Sequence, residues 1–262
     1  EDMQKQILGL ALKYQGEWEK ITLGLKQGEK PPCPAISEKY VTWADAQYPA
    51  LFRQLRYPPW ILFYRGNLSL ADLPATGIVG SRKACRYGLT MTERCCAALK
   101  DEVIVSGLAL GIDGASHRAA LRMCRGTIGI AGCGLDRPYP AYNRDLYEEL
   151  PKANLLLSEY PPHTPPQKHH FPWRNRLIAA LSDRIVVMQA GFHSGTMLTV
   201  SEALELNREV WCLPYPAMNK EGEGCNLLIS QGAEILLEPA QLTRGPGQWT
   251  QACKNRVKSM KF

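Results

Sequence analysis

Thr76-Gly77-Ile78-Val79-Gly80-Ser81-Arg82-Lys83 sets a short, partly β-branched apolar run directly against a glycine, a hydroxyl and two cations. The same order recurs along the chain. Apolar runs at 102–106 (EVIVS), 127–131 (TIGIA), 154–158 (NLLLS), 184–189 (RIVVMQ), 209–213 (EVWCL) and 234–237 (EILL) predict further strands, beside the first at 76–80. Helical patterns fall between them, near 87–100, 112–124, 141–150, 174–182, 197–207 and 224–231. Short apolar strands alternating with helices predict an α/β fold: a mostly parallel sheet with helices on both faces. Right-handed crossovers then bring the carboxyl end of every parallel strand to one edge.

Outward from this core, residues 1 to about 28 read as helical, with Ile7, Leu8, Ala11, Leu12, Trp18 and Ile21 forming an apolar face. Pro31-Pro32-Cys33-Pro34 reads as a linker, and a segment rich in Tyr, Trp and Pro runs from Tyr48 to Asn67. The expected organisation is a short helical segment with linker over 1–40, a main domain over 41–240 and a basic tail over 241–262. With 262 residues, 45% of them hydrophobic and 21% charged, the chain can bury a substantial core. No stretch approaches the roughly 20 apolar residues of a membrane span, and no signal-peptide pattern opens the chain. The nine cysteines include no CxxC pair. Adjacent Cys95 and Cys96, and Cys133 at the end of an apolar run, read as reduced thiols in a cytoplasmic protein.

The turns after the strands carry the chemistry. They are Gly80-Ser81-Arg82-Lys83, Ser106-Gly107-Leu108-Ala109-Leu110-Gly111, Gly132-Cys133-Gly134-Leu135-Asp136, Ser158-Glu159-Tyr160 and Gly191-Phe192-His193-Ser194-Gly195-Thr196. Glycine lets backbone approach a ligand, and the helix that follows presents free N–H groups with the positive end of its dipole. One such turn is common; several converging where the strand order reverses would form an anion pocket.

Charge is distributed to match. The net charge is only +6, but no acid lies between Glu159 and Asp183, an interval holding Lys168, Arg174, Arg176 and three histidines. Arg82, Lys83 and Arg86 form a second basic cluster, and Arg244, Lys254, Arg256, Lys258 and Lys261 a third in the tail. Clustered cations suit a polyanion, although a solvated surface reads the same way. In Phe171-Pro172-Trp173-Arg174-Asn175-Arg176, aromatics interleave with guanidiniums just ahead of an expected helix. Aromatic faces stack unpaired bases and arginines pair with phosphates. The plainer alternative is a helix start with two packed aromatics.

Other chemistries fit less well. The Walker pattern and a GxSxG elbow are missing, and Gly132-Cys133-Gly134 lacks the third glycine of a dinucleotide fingerprint. Asp113 and His117, four apart on one helix face, read as a turn cap and a packed histidine rather than metal ligands.

The ordered set of motifs resembles the DprA/Smf family of DNA-processing proteins. It comprises Gly77-Ile78-Val79-Gly80-Ser81-Arg82, Ser106 through Asp113 with His117, and Gly134-Leu135-Asp136 with Tyr139-Pro140 and Asn143. Ser158-Glu159-Tyr160, His170-Phe171-Pro172 through Arg176, Ser194-Gly195-Thr196, and Asn226 through Ile229 with Gly232-Ala233 complete it, covering about residues 45–237. The resemblance implies an extended Rossmann-like fold, a homodimer, and binding of single-stranded DNA without catalysis, metal or cofactor. It also implies protection of incoming DNA and loading of RecA recombinase during natural transformation.

Carried over by motif, the pocket would use Gly80, Ser81, Arg82 and Lys83, with Ser106 and Gly107, then Lys168, Phe171, Arg174, Asn175 and Arg176, and Ser194, Gly195 and Thr196. Phosphates would sit on the Gly80–Arg82 loop and a base near Phe171. Because charged loop residues support little core, Arg82→Ala, Arg174→Ala and Arg176→Ala are expected to weaken binding and leave the fold intact.

Three departures from the family pattern stand out: Pro214-Tyr215 in place of Pro-Gly, a short N-terminal part expected to be a remnant of a sterile-alpha-motif-like domain, and no winged helix expected after residue 240. Two rivals remain. Phosphoribohydrolases of the LOG type use a GGxGTxxE loop, whereas Glu202 lies six residues past Thr196 rather than three. A nucleotide-sensing module would bind one mononucleotide without gain from strand length.

Overall fold

The computed structural model describes residues 2–243, so the basic tail expected over 241–262 lies almost wholly outside the described residues. Among the described residues, nine strands form one sheet in the order β1-β2-β6-β5-β4-β3-β7-β8-β9. The parallel part consists of β3 (Ala75–Gly80), β4 (Val103–Ser106), β5 (Thr127–Ile130), β6 (Leu155–Ser158), β7 (Arg184–Gln189), β8 (Glu209–Cys212) and β9 (Glu234–Ile235). Helices α3 (Arg86–Ala98), α4 (Ile112–Arg122), α5 (Arg144–Ala153), α6 (His170–Leu181), α7 (Thr196–Glu205) and α8 (Glu223–Ser230) connect them. Strands β4 to β6 are buried at every position. That explains why their sequences are unbroken apolar runs rather than alternating ones.

The amino-terminal third departs from the expected pattern. The Tyr/Trp/Pro-rich segment contributes β2 (Ile61–Gly66), which pairs antiparallel with β6 on one side and with β1 (Lys39–Thr42) on the other. The single helical stretch is a hairpin of α1 (Asp2–Lys13) and α2 (Trp18–Lys26), reversed at Gln15 and Gly16, both at positive φ. Ile7, Leu8, Leu10 and Ile21 pack with Ile61 and Phe63 of β2 and with Leu146 and Leu150 of α5 in one apolar cluster. These two helices therefore cover one face of the sheet.

Beyond β3 the chain winds first through β4, β5 and β6 to one side, then through β7, β8 and β9 to the other. The reversal lies between β3 and β7, the switch point at which open α/β sheets hold ligands. No helix among the described residues is long and apolar enough to cross a membrane.

Candidate functional site

At that switch point lies a groove of about 410 Å3, lined by Gly80, Ser81 and Arg82 after β3, Ala109 and Asp113 after β4, and Ser194, Gly195 and Thr196 after β7. Phe171, Arg174, Asn175 and Ile178 close it from α6, and Leu198 and Thr199 from α7. The turn after β3 is held by its backbone and by the Gln189 side chain, which donates to the Lys83 carbonyl and accepts from the Cys85 N–H. Ser81 donates its N–H to the Gln189 carbonyl and accepts from the Ile112 N–H, at 2.8 and 3.2 Å. Gly111 is obligatory beneath it: its φ is +73°, and a Cβ there would run into the carbonyl of Ser81. With the loop fixed, Arg82 projects exposed over the groove, its guanidinium carbon 5.8 Å from the Phe171 ring centroid.

Helix α6 begins at His170, four residues ahead of the expected start, with Pro172 in its first turn where a missing N–H costs nothing. The arginines are thus helical, and 100° per residue sorts them. Phe171, Arg174, Asn175 and Ile178, spaced 3, 4 and 7 apart, share the face toward the groove. Trp173 and Arg176 share the other, the guanidinium 4.1 Å from the indole.

Arg176 is therefore a correction to the sequence reading. It is 3% exposed, does not line the groove, and donates both Nη atoms to the Glu159 carboxylate at 2.6 Å. Its Nε donates to the Tyr57 carbonyl. Glu159, 4% exposed, is the partner that makes burial of this charge tolerable. Arg174 lines the groove yet is only 5% exposed, because Nη1 donates to the carbonyls of Gly107 and Ile130. A Cβ on Gly107 would sit 2.6 Å from its Nη2, so glycine is what admits the guanidinium. Neither arginine is the free loop cation that the sequence implied, and the expectation that both can be removed without harm to the fold fails on burial.

Beneath the groove, Asp113 faces the same guanidinium. Burial pushes its carboxyl pKa up, against the pull of Arg174. His117, fully buried, exchanges a 2.7 Å hydrogen bond with Thr127 and stays neutral down to about 3, chiefly through burial and then through Arg118 and Arg174. Asp113 accepts from the Ala109 N–H in the turn after β4, and His117 is tied to β5, so the two are not an exposed pair.

The remaining candidates divide. Ser106 is buried and donates its hydroxyl to the Ile78 carbonyl, which ties β4 to β3. Gly107 lines a small annex of about 50 Å3 with Arg82, Leu110, Tyr139 and Phe171. Lys83 and Lys168 are exposed but lie outside the groove lining. Tyr139, read from the sequence only as part of a motif and not as a pocket residue, lies with its ring 5.3 Å from Phe171 and is 43% exposed. A tyrosine on an irregular loop carries no local signal for that placement. Among the described residues, a rim with one free guanidinium, an accessible aromatic pair, the Ser81 and Thr196 hydroxyls and little acid can hold a phosphate beside a flat ring.

A family model described as DNA recombination-mediator protein A matches residues 39–245. Protein Smf of Synechocystis sp. is 40% identical over 215 residues, 80% of this chain and 54% of that protein. DNA processing protein DprA of Streptococcus pneumoniae is 40% identical over 193 residues, 73% of this chain and 68% of that protein. The chain thus spans about half the length of the first relative and about two thirds of the second. The X-ray structure of Streptococcus pneumoniae DprA matches with TM-score 0.76 at 28% identity, over 100% of this chain and 96% of that one. DprA of Helicobacter pylori, solved for its single-stranded DNA binding mode, matches with TM-score 0.71 at 31% identity, over 83% of this chain and 97% of that one.

Proposed function

The chain belongs to the DNA recombination-mediator protein A family, and on that premise we propose that its switch-point groove binds single-stranded DNA. The observation that carries this reading is the pairing of Arg82 with Phe171 over the groove: a guanidinium for a phosphate, an aromatic face for the adjoining base. The hydroxyls of Ser81 and Thr196 line the groove as donors to the phosphate, and Arg174 sets the floor charge from below. The contacts are of the kind that position a strand without reading its bases, so sequence preference is weak.

Binding serves to protect incoming strands and to load RecA recombinase in natural transformation, carried out by a homodimer in the cytoplasm. Apolar surface near the β9 edge supports dimerisation, with Leu204 and Leu237 standing 60% and 61% exposed.

Titration of labelled oligo-dT of increasing length against this chain tests the proposal. Affinity rises with length, and the log–log salt slope is roughly −0.7 per phosphate neutralised. Saturation by a mononucleotide, with no gain from a longer strand, would instead establish the nucleotide-sensing reading. Release of base from nucleoside monophosphates would establish the hydrolase. For that reaction Glu202 lies outside the groove lining and Glu159 is engaged by Arg176.

A further inference from the structure

The basic cluster after β3 continues past the groove. Arg86, exposed and four residues beyond Arg82, lines a second concavity of about 440 Å3 between α3 and α4. Arg118 and Arg122 line it from α4, and Tyr142 with 78% of its surface exposed. The Arg118 guanidinium lies 5.7 Å from the Tyr142 ring centroid, the same pairing of cation and open aromatic face seen at Arg82 and Phe171. The two concavities adjoin at one turn. Gly111 lines the second, and its backbone packs against the carbonyls of Ser81 and Arg82, which line the first.

We propose that the α3–α4 groove is a second contact for the same strand. Single-stranded DNA leaving the first groove crosses the Gly111 turn, lays phosphates against Arg86 and Arg118, and stacks a base on Tyr142. The inference rests on the DNA reading of the first groove. Among the described residues Arg86 has no carboxylate partner, whereas Arg118 pairs with Asp145 and Arg122 with Glu93 at 2.7 Å. The Arg122–Glu93 pair, 57% and 53% exposed, holds weakly and leaves Arg122 able to turn to a phosphate, whereas Arg118 is held bidentate by Asp145 and also donates to Asn143, so that its Nη1 is the donor left for one. The lining carries three arginines against Glu93 alone, which favours a polyanion over an acidic-neutral protein face.

Two strand lengths separate the two claims. An oligo-dT of about four nucleotides fills only the first groove, and one of about twenty reaches both. The Arg86→Ala, Tyr142→Ala double variant is expected to bind the short strand as wild type does and the long strand roughly tenfold more weakly. Photocrosslinking with 5-iododeoxyuridine in the long strand is expected to mark Tyr142 in the wild type. Equal affinity of variant and wild type for the long strand, or no crosslink to Tyr142, overturns the inference and leaves the groove to a protein partner. If Arg82→Ala leaves short-strand affinity unchanged, the first-groove reading falls, and the continuation with it.

Discussion

The turn after β3 and the first turns of α6 both present arginine beside the same switch point, but the two regions use it in opposite ways. On the turn, backbone hydrogen bonds hold the loop and Arg82 is left exposed, with nothing in the core depending on its side chain. On the helix, Arg174 and Arg176 are buried, their donors spent on carbonyls and on Glu159. Identical side chains at one rim thus divide into a ligand-facing cation and two structural ones. Burial, not residue type, makes the division: an enclosed guanidinium must be satisfied by protein before it can serve anything else.

The sharpest way to break this comparison is Arg176→Ala, which strands Glu159 as an unpaired buried carboxylate. A loss of roughly 3–5 kcal/mol in denaturant unfolding is expected, and a loss below about 0.5 kcal/mol would place Arg176 with the surface residues. Arg174→Ala uncovers two carbonyls and leaves Asp113 without its facing charge; roughly 2–3 kcal/mol of stability is expected to go, together with DNA affinity. If affinity falls with no change in the unfolding midpoint, Arg174 belongs with Arg82.

The buried side of the comparison also carries a pH signature. His117 titrates near its ordinary 6.5 in the unfolded chain and at about 3 when folded. The unfolded state therefore takes up the proton first, so its contribution to stability is present above pH 6.5 and is lost as pH falls toward 3. The slope attributable to it reaches about 1.4 kcal/mol per pH unit, and His117→Gln is expected to remove that slope from the difference between the two unfolding curves.

On the exposed side, Arg82→Ala is expected to weaken oligo-dT binding about tenfold and to shallow the salt slope by about 0.7. Its unfolding free energy should shift by no more than about 0.5 kcal/mol. Lys168→Ala, outside the groove lining, should change both by a few tenths of a kcal/mol at most.

Legibility followed the range of the interactions. Strands β3 to β8 could be read from sequence because burial on both faces leaves a continuous apolar signature within each strand. β1 and β2 could not: β2 finds its partner Ser158 from Phe63, and nothing local in a segment full of Pro and Trp announces that pairing. The start of α6 was readable in principle, since Pro172 marks a first helical turn as readily as a loop.

Sequence alone determined the α/β class and the side of the sheet on which the glycine turns converge, because these depend on local runs and on the handedness of crossovers. Only tertiary structure decided which arginines remain free. That depends on the helical phase of α6, which points Arg174 and Arg176 in nearly opposite directions, and on the arrival of Glu159 and the Gly107 and Ile130 carbonyls from other strands. A charge's role is set by what surrounds it in space, and sequence spacing does not encode the partners that enclosure selects.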